Sequence, residues 1–321
     1  DRELVFASVQ TLSRREHLER FSESAFDYIV VDEFHHAAAA TYRRLIDHFS
    51  PSFLLGLTAT PERADGGDLL SLCSENVVYR CPVPRGIDLG LLCEFDYFGV
   101  PDDVDYAAIP WRSNRFDEEA LTNAVATQRR ADNVFDQWRK RGGAKTIAFC
   151  ASRRHADFMR DWFRERGVSC ASVHSGPTSD ERTLSLEKLA AGGLAVVFAV
   201  DIFNEGVDVP MIDTVMMLRP TESPIVWLQQ FGRGLRKFGD KRLKVVDYIG
   251  NHRSFLTKVR TLLALGSVSD REIRAALERV ESREYELPRG CNVVYELRAL
   301  DILRALLRTN GDASGALREY Y

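Results

Sequence analysis

The chain has 321 residues, 45% of them hydrophobic and 28% charged, with a formal net charge of −4. That length gives room for roughly two domains with real cores, and the charge excludes a globally basic nucleic-acid binder. The longest uninterrupted apolar stretch, Leu194–Val200, is far too short to span a bilayer. No basic-then-apolar leader opens the sequence, and none of the six cysteines forms a C-x-x-C pair. A reducing cytoplasm is therefore the expected location. Cys73, Cys81 and Cys93 match no common zinc spacing and are expected to be buried free thiols.

In chain order, Leu4–Ala7 reads as a strand ending in the small polar residues Ser8, Gln10 and Thr11. A helix is expected over 13–21, with Ser13 as its N-cap. Opening this close to a strand reads as a segment cut from a longer chain. Tyr28–Val31 is an apolar, mostly β-branched run of buried-strand type. It ends abruptly in Asp32 and Glu33, followed by His35 and His36. Two adjacent carboxylates at the end of a buried strand are costly unless something uses them. A magnesium nucleotide would: Asp32 holding Mg²⁺ through its water shell, Glu33 orienting and deprotonating an attacking water. The plainer reading is a strand giving way to a loop.

Residues 37–49 read as a helix with Tyr42, Leu45, Ile46 and Phe49 on one face, stopped by Pro51. Residues 53–57 form a short buried strand, followed by Thr58-Ala59-Thr60-Pro61. Small hydroxyl residues there can relay between a nucleotide and a second ligand. From 68 to 110, short apolar runs alternate with Pro and Gly, an irregular connection out of a first domain. Residues 116–141 read as one helix, stopped by Gly142-Gly143.

A strand–helix alternation then resumes. Strands are expected at 145–150, 168–173, 194–200, 214–218 and 243–248, and helices at 153–166, capped by Ser152, and 180–191. This predicts an α/β fold with a mainly parallel sheet and helices on both faces. Residues 269–307 add at least two amphipathic helices, with Leu297, Leu300, Leu303 and Leu307 on one stripe. Gly142–Thr146 is not a phosphate loop: Ala144 precedes Lys145, and the run leads into a strand instead of following one. Between Leu228 and Lys244 lie six basic residues and one acidic, either a solvated face or an anion-binding strip.

Four stretches combine: Asp32-Glu33-Phe34-His35; Thr58-Ala59-Thr60; Asn204–Pro210; and Gln229-Gln230-Phe231-Gly232-Arg233-Gly234-Leu235-Arg236. Their order and spacing resemble motifs II, III, V and VI of the superfamily 2 helicases and translocases, over roughly residues 4–251. The pieces YRRLIDHF, LGLTATPERADG, FAVDIFNEGVDVP and LRPTESPIVWLQQFGRGLRK look like a bacterial type-III-restriction-like group. Members of that group often carry a phospholipase-D-like nuclease domain upstream.

The resemblance implies two RecA-like domains with parallel sheets and flanking helices, the first truncated at its N-terminus, plus C-terminal helices. Its boundaries would be 1–95 for a partial ATP-binding domain, 96–115 for a connector, 116–266 for the helicase C-terminal domain and 267–321 for the start of a helical accessory region. ATP and Mg²⁺ are the implied cofactors, with hydrolysis between the two domains. The implied partners are nucleic acid, DNA rather than RNA, and a nuclease domain in the same chain or complex. Glu33 would be the general base, Asp32 the Mg²⁺ holder, and His35 the sensor of Thr58 and Thr60, with His36 structural. Arg236 would be the arginine finger and Arg233 its partner, three apart and so on one helical face. An ion pair is the plainer reading for either. Gly232 and Gly234 would let the backbone turn tightly. Gly206 would allow close backbone approach and Asp208 would bind the ribose, unless both merely shape a turn before Pro210. Gln229 would join the domains. Nucleic acid would cross Ser8, Gln10 and Thr11 in the first domain and Ser152, Arg153, His174, Ser175 and Gly176 in the second, through hydroxyls, backbone N–H groups and helix N-termini. Each of these is otherwise a cap or a satisfied loop group. The family's phosphate loop lies upstream of these residues, so the chain alone is expected to bind ATP poorly and turn over little. The rival readings are a duplex translocase feeding a nuclease without unwinding, and a non-catalytic nucleic-acid clamp.

Overall fold

The computed structural model describes residues 4–37, 39–58, 70–73, 76–113, 115–201, 203, 209–221, 223–263 and 269–316. The chain divides into two compact units, Asp1–Arg80 and Cys81–Tyr321. Among the described residues, no helix is long and apolar enough to cross a membrane.

The first unit holds β1 (Tyr28–Val31), α1 (Ala40–His48) and β2 (Phe53–Gly56). The strands pair in parallel, from Tyr28 opposite Phe53 to Val31 opposite Gly56. Val31, Phe34 and Ala37 form one small core, with Ile29, Tyr42 and Ile46 against it. Leu18, Leu45 and Phe49 form another. The sequence predicts a fully buried β1, but Tyr28 is 74% and Val30 60% exposed. Alternation puts Ile29 and Val31 toward the core and Tyr28 and Val30 away from it, where no described residue covers them. Leu4–Ala7 is likewise not a strand. It pairs with no described neighbour, and Phe6 stands 94% exposed. The helix expected over 13–21 is present only as one turn, Arg15–Leu18, with Arg14 and not Ser13 at its N-cap; Ser13 instead closes a separate turn, Val9–Leu12, whose N-cap is Ser8.

The second unit is built on seven parallel strands: β3 (Phe95–Pro101), β4 (Thr146–Phe149), β5 (Cys170–Val173), β6 (Val196–Ala199), β7 (Thr214–Met217), β8 (Leu243–Ile249) and β9 (Asn292–Tyr295), in the spatial order β9-β3-β8-β7-β4-β6-β5. Every residue of β4, β5, β6 and β7 is buried. Parallel strands covered on both faces read as continuous apolar runs, which is why these were visible in the sequence. Besides a short helix at Val83–Asp88 ahead of β3, the helices are α2 (Glu118–Val125), α3 (Gln128–Arg141), α4 (Arg153–Arg164), α5 (Arg182–Ala191), α6 (Pro224–Leu235), α7 (Ser254–Leu262), α8 (Asp270–Glu281) and α9 (Leu297–Ala316).

Three expectations change here. The irregular connection expected over 68–110, with its connector at 96–115, contains β3, which pairs with β8 along its whole length and with β9 on its other side. Gly99 interrupts the apolar pattern because the Tyr295 ring lies against it: a Cβ there would stand 2.2 Å from the ring. The single helix expected over 116–141 is two, because Ala126 leaves helical geometry and Thr127 is extended. The region after 267 supplies a strand, β9, to the sheet, as well as helices.

The glycine loop before β4 is closed by an internal anion. Asp213 accepts from the Ala144 N–H at 2.9 Å and the Lys145 N–H at 3.2 Å. A carboxylate of the chain itself occupies the amide nest that a phosphate would need.

Candidate active site

The end of β1 is shaped by one unusual residue. Glu33 has φ 49° and ψ 46°, the left-handed region that a side chain with a Cβ seldom adopts. Its N–H donates to Asp32 Oδ1 at 2.9 Å, and the next N–H, of Phe34, donates to the Leu57 carbonyl at 2.8 Å. The chain therefore turns sharply between its two acidic residues. The turn brings Glu33 Oε2 to 3.2 Å from Nδ1 of His35, which is 5% exposed. Thr58 Oγ1 lies 3.3 Å from the same nitrogen. Three of the predicted residues thus meet on one ring atom, joining the ends of β1 and β2. Asp32 is exposed. His36 is exposed too, its ring centroid 4.2 Å from that of His35 with the planes tilted by 42°.

In the second unit, Ser223 caps α6 by accepting from the Val226 N–H, and Pro224 fills its first turn. Trp227, Gln230, Phe231, Gly234 and Leu235 are buried; Gln229, Gly232 and Arg233 are half-buried. The two glycines do not serve a turn, as expected from sequence; both lie inside the helix. Gly234 permits close packing: a Cβ would stand 2.3 Å from Leu243 Cδ1 and 3.0 Å from Val215 Cγ2. Gly232 faces open space. Arg233 lies in the last helical turn, but Arg236 lies past the helix end with extended backbone, φ −57° and ψ 131°. The shared helical face predicted for the two arginines therefore does not form. The helix stops because its backbone is taken up elsewhere: Arg236 bridges to Leu92, and the Cys93 N–H donates to the Leu235 carbonyl at 2.8 Å.

Sequence reasoning missed what holds this helix end. Lys241 Nζ donates to the Gly234 carbonyl at 2.9 Å and to the Pro210 carbonyl at 2.5 Å. It ties the end of the fourth matched stretch to the end of the third. Burial pushes the half-buried ammonium below the ordinary lysine range. Two of the six cations between Leu228 and Lys244 are thereby committed within the fold, since Lys241 turns inward and Arg242 pairs with Asp96 at 2.7 Å and Glu94 at 2.8 Å. A second hidden pair, Asp247 on β8 and Lys258 on α7, binds α6 from below: Trp227 Nε1 donates to Asp247 Oδ2 at 3.0 Å. The sequence signal was there, an Asp within the apolar run LKVVDYI and a Lys within FLTKVRTLL.

The nucleic-acid candidates divide. Ser8, Gln10 and Thr11 are exposed, and Ser8 Oγ donates to Thr11 Oγ1 at 2.8 Å. Ser152 is buried; its hydroxyl caps α4 and accepts from Thr122 Oγ1 at 2.7 Å. His174 is buried, with Nε2 3.1 Å from Asp157 Oδ1 and Nδ1 accepting from the Gly176 N–H at 3.0 Å. Both of its ring nitrogens are spent within the fold. Arg153 is exposed at the first turn of α4, with Gly176 close against its stem. Ser175 is exposed. Thr60, Gly206 and Asp208 lie outside the described residues.

Comparison with known proteins follows the same division. Residues 1–63 match the family model for the type III restriction enzyme res subunit, and residues 128–238 the helicase conserved C-terminal domain. The chain belongs to the superfamily 2 helicases, in the type-III-restriction-like group. Over 97% of its length it is 28% identical to the putative ATP-dependent helicase IRC3 of Saccharomyces cerevisiae, of which it covers 45%. Its fold is that of a fragment of a putative HsdR subunit of a type I restriction enzyme from Vibrio vulnificus, with a TM-score of 0.61 and 24% identity over 89% of this chain and 51% of that one. It is also that of the ATP-dependent type ISP restriction-modification enzyme LlaBIII bound to DNA, with a TM-score of 0.60 and 18% identity over 94% of this chain and 24% of that one. The chain therefore spans about half or less of each of these proteins, and its sheets are those of RecA-like helicase domains.

Membership in the superfamily 2 helicases implies ATP, usually with Mg²⁺. The carboxylate half of such a site fits. Asp32 is exposed at a strand's carboxyl end, engaged among the described residues only through Oδ1, which leaves Oδ2 to face a hydrated cation. No group of three or more potential metal ligands occurs among the described residues. Of the three cysteines expected to be buried free thiols, Cys93 is buried, but Cys73 is half-buried and Cys81 exposed; Cys150, Cys170 and Cys291 are buried and free as well. Burial pushes the Cys170 thiol up to about 11, an inert structural thiol.

Proposed function

We propose that this superfamily 2 chain is part of an ATP-dependent motor that moves along or unwinds DNA in the cytoplasm. The observation that carries the reading is the meeting of Glu33, His35 and Thr58 on His35 Nδ1 at the end of β1. A carboxylate that abstracts a proton must be held in register, and a motor must pass the outcome to a second element. One ring bonded to both does the two tasks. Bound Mg-ATP would supply the phosphoanhydride and neutralise charge as it breaks.

On this reading Asp32 faces the cation's water shell and Glu33 Oε1 or Oε2 takes the proton of the attacking water. His35 transmits the state of Glu33 to Thr58 and, beyond it, Thr60. Arg236 and Arg233 meet the developing charge on the γ-phosphate; an arginine finger is worth about 10³–10⁵ in rate. Gly206, Asp208 and Gly232 line the nucleotide and Gln229 serves in coupling. Ser8, Gln10, Thr11, Arg153 and Ser175 face the phosphate backbone, with Ser152, His174 and Gly176, whose N–H is bonded to His174 Nδ1, positioning the loops that do so. DNA is favoured by the restriction-enzyme likeness. The chain contains no Gly-Lys-Thr or Gly-Lys-Ser phosphate loop, and taken alone these residues bind nucleotide weakly.

The test is ATP hydrolysis by the full-length protein carrying this chain, with and without DNA, beside strand displacement and triplex displacement. DNA-stimulated hydrolysis is expected, lost in both Glu33→Gln and Arg236→Ala with folding intact. Hydrolysis that survives both substitutions, or DNA binding indifferent to nucleotide, would replace the motor with a clamp. Triplex displacement without strand displacement would assign translocation rather than unwinding. Robust hydrolysis by these 321 residues alone, abolished by Glu33→Gln, would overturn their proposed weakness.

A further inference from the structure

Between β3 and α2 the chain makes a two-by-two hairpin, Trp111–Arg112 against Arg115–Phe116. Its register sets Trp111 opposite Phe116 and Arg112 opposite Arg115. Like charges directly opposite one another weaken an antiparallel pair, and both arginines are exposed. Neither makes an ion pair or hydrogen bond with any described residue. Carboxylates are at hand, because Asp117, Glu118 and Glu119 follow immediately. Asp117 instead caps α2, accepting from the Ala120 N–H at 2.8 Å, and neither arginine turns to the other two. The neighbouring arginines behave differently: Arg129 pairs with Asp103 at 3.1 Å and Arg130 with Asp102 at 2.9 Å. The hairpin thus holds two guanidiniums side by side with no counter-charge among the described residues.

The base of the hairpin is stiff. Trp111 and Phe116 pack edge to face at 4.6 Å, and the His252 ring lies 4.5 Å from one and 4.7 Å from the other. His252 belongs to the loop leaving β8. In the same loop Asn251 accepts from the Tyr106 N–H at 2.7 Å and donates to Asp105 at 2.8 Å, fixing the segment that leaves β3. The hairpin is therefore anchored at the carboxyl ends of β3 and β8. In open parallel sheets ligands bind outside the carboxyl ends of the strands, and Arg153 and Gly176 stand at the same ends of β4 and β5.

We propose that this hairpin is a nucleic-acid backbone grip, in which Arg112 and Arg115 contact two successive phosphates of a bound strand. The inference rests on the motor reading above and adds a contact outside all four matched stretches. Paired guanidiniums suit phosphodiesters, which they can meet with two parallel hydrogen bonds each. An anionic membrane is the poorer fit, since basic segments that bind membranes carry clusters of about four to eight cations, and the sequence between the two arginines, Ser113 and Asn114, is polar.

The experiment compares the full-length protein with its Arg112→Ala/Arg115→Ala and Arg112→Lys/Arg115→Lys variants. Binding of fluorescent single-stranded and duplex DNA is measured by anisotropy across a salt series, and hydrolysis without DNA is measured alongside. The alanine pair should bind more weakly at every salt concentration. Its log–log salt slope should be shallower by about 1.4 on single strands or about 1.8 on duplex, two phosphates at about 0.7 or 0.9 each. The lysine pair should keep the slope, and DNA-free hydrolysis and melting temperature should not fall in either. An unchanged slope in the alanine pair, with the wild-type protein binding DNA normally, overturns the grip and leaves the motor reading standing. Wild-type protein that binds no DNA in any nucleotide state overturns the motor reading itself. Wild-type binding to phosphatidylserine vesicles that is lost in the alanine pair, with DNA binding unaffected, overturns the choice of partner.

Discussion

The Lys258 ammonium stands 2.5 Å from the Asp247 carboxylate, and neither side chain reaches solvent. The other carboxylate oxygen accepts from Tyr97 Oη at 2.9 Å and Trp227 Nε1 at 3.0 Å, while Lys258 also reaches the Tyr248 carbonyl at 3.3 Å. The pair thus bonds β3, β8, α6 and α7 to one point beneath the helix that carries Arg233. A buried ion pair adds little over well-packed apolar groups, but breaking it strands a charge. Lys258→Met alone should cost about 3–5 kcal/mol in urea unfolding of the second unit's transition. Lys258→Met with Asp247→Leu should recover much of that loss. Equal losses in the single and double variants would show that the pair stabilises through its attraction rather than through matched desolvation.

The two glycines of α6 should respond oppositely. An alanine at 234 puts a methyl 2.3 Å from Leu243 Cδ1, forcing the helix off β7 and β8. Overpacking of this kind costs about 1–3 kcal/mol. An alanine at 232 meets nothing within 4 Å and should stabilise the helix by up to about 1 kcal/mol. Thermal melts of both variants check the contrast, and Leu243→Ala added to Gly234→Ala should restore part of the loss by making room for the methyl. If Gly232→Ala melts lower than Gly234→Ala, the packing assignment of the two is inverted.

His155 sets a pH dependence. It is fully buried, with its Nε2 3.4 Å from Arg130 Nη1, and its Nδ1 accepts from the Ala151 N–H at 3.2 Å. Burial first, and the Arg130 guanidinium second, hold its pKa well below the ordinary imidazole range. The other groups facing this pocket are Asp102, which binds Arg130 in bidentate fashion, and Tyr248, whose ring lies 5.1 Å from the guanidinium. The unfolded chain takes up a proton near pH 6.5 and the folded chain does not. Stability is therefore full above that pH and falls as the pH drops below it, by at most about 1.4 kcal/mol per pH unit. Urea midpoints measured from pH 7.5 to 5 should decline less steeply in His155→Gln than in the wild-type protein. Parallel declines would assign the acid sensitivity to other groups.

The sequence by itself determined the parts of this protein that are local and continuous. The strands β4 to β8 were legible because burial on both faces demands mainly apolar runs, even where β8 carries Lys244 and Asp247. The acidic turn after β1 and the arginine-bearing stretch after Ser223 were legible because their residue types are chemically unusual where they stand. Tertiary structure decided everything that depends on which distant residue arrives. Gly99 reads as a loop signal until the Tyr295 ring is placed on it, so β3 has the sequence of a connector. Arg236 counts as one helical turn from Arg233 until Leu92 and Cys93 claim the backbone at the helix end. Lys241 and Arg242 look like a single basic strip until one turns to two carbonyls and the other to two carboxylates. Spacing along a chain encodes a face, whereas hydrogen bonds are satisfied by whatever the fold brings within about 3 Å, and that choice is written in no single stretch of sequence.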